Sequence, residues 1–117
     1  MELTQFIQSL TNEPQHIEFE QTMAVIEANY QFIPTAFSNG DVHNEAGQNN
    51  GSCKIFAFAE LNQLSPEQTL ACFGRYYRED VLAHPDNDDH QNIRNFMTRG
   101  WGGVKFESVA LVAKKKG

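Results

Sequence analysis

Residues 39–59 read NGDVHNEAGQNNGSCKIFAFA, a glycine- and asparagine-rich run that breaks off into an apolar segment. Asn39-Gly40 is a strong short hairpin signal, because both residue types tolerate positive φ. A short return strand over residues 41–44 follows from it, and residues 46–52 read as a flexible loop. Residues 53–59, CKIFAFA, then read as a core strand. Periodicity alone does not separate that strand from a helix, because both faces are apolar.

Upstream, Leu3, Phe6, Ile7 and Leu10 recur at helical spacing, and Asn12 and Pro14 end that pattern. Phe19, Met23, Ile26 and Tyr30 mark one face of a second helix, with Glu18, Glu20 and Glu27 off the stripe. Residues 31–37 are aromatic and β-branched around Pro34, which forbids a continuing helix and predicts an extended edge segment. Downstream, Ser65-Pro66-Glu67-Gln68 is a helix start with N-cap, N1 proline and capping-box glutamine. That helix is predicted to run to about Ala83, burying Leu70, Phe73, Tyr77 and Val81. Asp86, Asp88 and Asp89 offer N-caps for a fourth helix carrying Ile93, Phe96 and Met97, with Gly100 as its C-cap. Alternation over residues 104–110 predicts a terminal strand. The strands lie too close together for βαβ crossovers, so the class is α+β, about four helices packed on a small, mostly antiparallel sheet.

The chain has 117 residues, which suits a single domain over residues 1–117. A net charge of −6 argues against nucleic-acid binding, since phosphate contacts need clustered Lys and Arg. Lys114, Lys115 and Lys116 read as a solvated tail. The two cysteines, Cys53 and Cys72, read as reduced thiols of a cytosolic protein. The N-terminus lacks a basic n-region and a long apolar h-region, so a secretory signal is not expected. No apolar run approaches the roughly 18 residues of a membrane span. No cofactor is expected.

Phe37-Ser38-Asn39-Gly40, Gly51-Ser52-Cys53-Lys54-Ile55-Phe56-Ala57, Leu70-Ala71-Cys72-Phe73-Gly74-Arg75-Tyr76-Tyr77-Arg78, His90-Gln91-Asn92-Ile93-Arg94-Asn95-Phe96-Met97 and Gly100-Trp101 together resemble the HopJ type III effector family. The ordered set carries the resemblance over nearly the whole chain. It implies a small bacterial protein grouped with plant-pathogen effectors delivered by type III secretion, and it brings no established reaction. Effector leaders are usually serine-rich and polar. Residues 3–10 instead form an amphipathic pattern with Ser9 the sole serine, so the expected location is the bacterial cytoplasm, with type III delivery into a host the alternative that this N-terminus does not support.

Three polar or aromatic clusters are candidates for chemistry. Residues 47–54 loosely resemble a phosphate loop but depart from the template, since no lysine directly follows the second glycine and no helix clearly opens after it. Within this region Asn39, Asn49, Ser52 and Lys54, together with Trp101, are the ligand-binding candidates. Cys53 beside Lys54 is a candidate nucleophile, with His43 or His90 as base. A buried structural thiol is the plainer reading, because neighbours on a strand point to opposite faces. His84, Asp86, Asp88 and His90 could ligate a divalent metal, although their spacing fits no EF-hand or zinc template and Asp residues equally suit helix capping. Tyr30, Phe32, Phe37, Tyr76, Tyr77 and Trp101, with Arg75, Arg78, Arg94 and Arg99, would suit a protein interface or a core with its polar rim. With no complete catalytic constellation, the leading expectation is a module that binds a protein partner or a small ligand. A small hydrolase or transferase and a metal-binding protein are the alternatives. If Asn39, His43, Asn49, Ser52, Lys54 and His90 converge on one concavity, a site is credible.

Overall fold

The computed structural model describes residues 2–114. α1 (Leu3–Asn12) buries Phe6 and Leu10, and α2 (Phe19–Asn29) buries Thr22, Val25 and Ile26. Both start as their sequences dictate. Glu2 and Glu18 are the cap residues, and their backbone N–H groups donate to the Gln5 and Gln21 side chains at 3.3 and 2.8 Å. β1 (Tyr30–Phe32) leaves α2 directly.

β2 (Phe37–Asn39) and β3 (Val42–Asn44) form the hairpin, with Asn39 opposite Val42. Gly40 turns the chain at φ +61°, which a side chain would resist. Asn39 is not part of the turn. It sits inside the strand, fully buried.

Residues 53–59 are helical, which corrects the strand reading. They belong to α3 (Asn50–Leu61). Cys53 and residues 55–59 are all buried, so this helix runs through the core with almost no polar stripe to betray a 3.6-residue period. Phe56 packs against Phe37, Phe73, Phe96 and Trp101 at ring distances of 5.1 to 6.3 Å.

α4 (Pro66–Ala71) opens on the predicted cap, with Ser65 Oγ accepting from Gln68 N at 3.1 Å. It stops well short of Ala83. Thr22 Oγ1 of α2 donates to Cys72 O at 2.8 Å, and a Cβ on Gly74 (φ +61°) would lie 2.5 Å from the backbone N of Phe19. The chain must break there to let two backbones touch, and it resumes as a π-helical turn, Tyr76–Val81.

α5 (Gln91–Arg99) ends at Gly100 as expected. The predicted terminal strand over residues 104–110 is shorter, β4 (Val104–Phe106), and a further strand that the alternation did not cover, β5 (Leu111–Ala113), follows it. β4 extends the hairpin in the order β3-β2-β4, while β5 pairs with β1, giving two small antiparallel sheets. The class is α+β, with α3 the helix that the sequence reading lacked. Lys114 Nζ donates to Glu27 O at 2.7 Å, so the expected tail begins attached to α2, and Lys115 and Lys116 lie outside the described residues. Among the described residues no helix is long and apolar enough to cross a membrane.

Candidate functional site

The starts of α3 and α5 face one pocket of about 490 Å³. Its apolar wall is Phe19, Val42, Phe73, Tyr76 and Ile93, and its polar lining includes Asn49, Ser52, His90 and Gln91. Gly51 also lines it, and a Cβ there would come within 2.9 Å of Phe19 Cζ, so the glycine lets the ring close on α3.

The two helices begin alike. Asn49 (φ 51°, ψ 47°) precedes α3 and His90 (φ 51°, ψ 49°) precedes α5, both left-handed. Neither side chain bonds to its own helix's first turn. The first-turn N–H groups, which have no partner within a helix, are therefore left to solvent or a ligand, with the positive end of each helix dipole behind them.

The uncapped side chains are engaged elsewhere. Asn49 Nδ2 donates to Asn44 Oδ1 at 2.7 Å, and Asn92 Nδ2, in the first turn of α5, donates to the same oxygen at 3.0 Å. Asn44 Nδ2 returns a bond to Asn92 Oδ1 at 3.2 Å and reaches Phe37 O at 3.3 Å. One buried amide on β3 thus ties both helix starts to the hairpin. His90 Nε2 donates to Asp80 Oδ2 at 3.1 Å and lies 3.7 Å from Asp89, while its ring sits 5.5 Å from Tyr76. The Arg94 guanidinium bonded to Asp89 holds that carboxyl below its ordinary range, with the His90 and Arg94 charges adding to the effect.

The predicted residues fall into separate places. Asn49, Ser52 and His90 line the pocket. Asn39 lies fully buried behind it, where its Nδ2 donates to Asn92 O at 2.7 Å and its Oδ1 has no partner among the described residues. Lys54 leans over Phe32, 5.0 Å from the ring centre, and lines a different concavity. Trp101 packs edge-on against Phe56 and Phe96. His43 is exposed on β3 and meets Glu45 at 3.1 Å.

Cys53 does not form the candidate nucleophile pair and has the burial of a structural thiol. It is buried, its Sγ points to Thr35 O at 3.8 Å, and neither His43 nor His90 bonds to it. Burial pushes its thiol up, outweighing the bond to Thr35 and the Lys54 charge that lower it. Cys72 is pushed up to about 12 by burial. The acidic cluster also departs from expectation. His90 occupies the cap of α5, Asp86 and Asp88 are exposed, and Asp89 holds Arg94. His84 is exposed while His90 turns to Asp80, and among the described residues no three His, Cys, Asp or Glu side chains are grouped to hold a metal. The aromatic and arginine set is dispersed. Phe37 is core, Tyr76 alone of the set lines this pocket, and every arginine meets a carboxylate.

The family model for the HopJ type III effector protein matches residues 3–111. The chain belongs to the HopJ family. It is also similar to a solved crystal structure, that of the protein of unknown function VPA0580. The two are 66% identical, the match covers 97% of this chain and 95% of that one, and the TM-score is 0.96. No curated protein matches the chain. In this HopJ chain the site residues without a signal of function in the sequence include Phe19, Val42 and Asn92 in the pocket lining and, buried behind it, Asn44, which holds Asn49 and Asn92. Asn44 carries the one readable signal, an amide at a strand position whose alternation points it inward.

Proposed function

We propose that this HopJ-family protein is a binding module for a small amphipathic ligand. The ligand has an apolar or aromatic body and a hydrogen-bond-accepting, preferably anionic, end. The observation that carries the reading is the single pocket of about 490 Å³ onto which two uncapped helix starts, the half-buried His90 and an aromatic wall all open. Its size and its mix of apolar wall and few polar groups are those of small-molecule sites. The ligand's body lies along Phe19, Phe73 and Tyr76, and its acceptor end meets the amides that begin α3 and α5. No covalent step is part of the reading. It is of a cytoplasmic bacterial protein, since both cysteines are free and buried, as reducing compartments keep them.

The test is an amide NMR titration with a panel of aromatic and aliphatic carboxylates and their neutral carboxamides. Saturable shifts at residues 50–52 and 91–93, stronger for carboxylates and lost when Ser52→Phe fills the mouth, are expected. Saturable binding that ignores Ser52→Phe, or a panel with no binder at these amides, overturns the reading.

A further inference from the structure

The chain carries 15 acidic and 9 basic residues, and all four arginines find carboxylate partners. Lys54 and Lys114 do not. Among the described residues neither ammonium lies within ion-pair distance of a carboxylate, yet both line one concavity of about 330 Å³ between α2, β1 and α3. Lys54 is half-buried, its Nζ 5.0 Å above the Phe32 ring. Lys114 Nζ is held by Glu27 O at 2.7 Å, near the C-terminal end of α2. Tyr30, whose hydroxyl accepts from Asn62 Nδ2 at 3.1 Å, and Ile26 complete an apolar floor.

Lys54 over the Phe32 ring and Lys114 at the end of α2 share one concavity, and among the described residues neither ammonium is paired with a carboxylate, although Glu27 also lines it. We infer that this concavity is a second binding site, for a small phosphomonoester carrying an aromatic or apolar group. A doubly charged phosphate matches two ammoniums, each a point charge with several donors. The substituent lies on Tyr30 and Phe32, where Lys54 already finds a π face. Glu27 is the acidic residue of the lining and opposes the anion, so its side chain is a built-in control.

The experiment is an amide NMR titration of the full chain with phenyl phosphate, inorganic phosphate and phenol, at ionic strength fixed with sodium chloride. Phenyl phosphate shifts residues 30–32 and 54 saturably, inorganic phosphate binds more weakly, and phenol leaves them unmoved. Lys54→Met, which keeps the packing on Phe32, weakens phenyl phosphate about tenfold, the worth of one charge-assisted bond. Glu27→Gln, at an exposed position, tightens it severalfold. Ser52→Phe, which blocks the pocket between α3 and α5, changes nothing here, so the two sites succeed or fail separately. Equal affinity in Lys54→Met, weaker binding in Glu27→Gln, or shifts that sodium chloride alone reproduces overturn the assignment.

Discussion

Helices in this protein begin in two ways. At α1, α2 and α4 the chain closes a capping box, in which the Gln5, Gln21 and Gln68 side chains accept from the cap residue's N–H and the Glu2, Glu18 and Ser65 side chains meet the N–H of the third helical residue. At α3 and α5 it does not, and a left-handed residue opens each helix while the side chain bonds elsewhere. The first kind of start is finished chemistry. The second kind leaves polar backbone unspent, and both instances border one pocket. Ends that cap themselves serve the fold, and the open ends are the ones to which the proposed function assigns recognition.

The contrast breaks most readily at Asn44. Asn44→Leu strands the Asn49 and Asn92 amides and Phe37 O, and should cost about 3 kcal/mol or more in urea unfolding. A loss below about 1 kcal/mol would mean that the asparagine network is not what joins the open starts. Ser65→Ala removes a closed start and should cost about 1 kcal/mol, with the carboxylate titration at residues 50–52 and 91–93 unchanged. A change in that titration would tie the capped ends to the pocket. The smallest effect belongs to the thiols. A thiol-directed reagent should leave native Cys53 and Cys72 unmodified at neutral pH and modify both in denaturant, because burial raises both thiols. A reactive native thiol would move the chemistry outside the pocket. The same burial sets a sign in alkali. The Cys72 thiol goes from an ordinary 9.0 to about 12 in the fold, so its contribution is intact below pH 9 and is lost as the pH climbs toward 12.

What the sequence made legible follows the same division. α1, α2 and the start of α4 announce themselves, because their caps and apolar stripes are local. The hairpin was visible through Gly40, whose conformation few other residues accept. α3 was hidden by its own burial, since a helix enclosed on nearly every side has no pattern to distinguish it from a strand. The break after Ala71 was hidden because its cause, Gly74 against Phe19, lies 55 residues away along the chain (74 − 19). Of the site, Asn49, Ser52 and His90 stood out singly as polar residues in odd company. Phe19 and Phe73 read as core, and no local rule brings Asn44 to Asn92. In sequence Lys54 stands beside Cys53 at the end of a polar loop, whereas its neighbour in space is Phe32.

The strand order has a consequence for synthesis. β1 and β2 are made early, but β1 has β5 as its partner and β2 gains its second neighbour in β4, both within residues 104–113. As the chain emerges from a ribosome, the helices and the β2–β3 hairpin can form in passing, yet neither sheet can be completed until nearly all of the described chain is out. Folding to the finished state is then a late, nearly all-or-none event that follows the emergence of residues 104–113 from the exit tunnel.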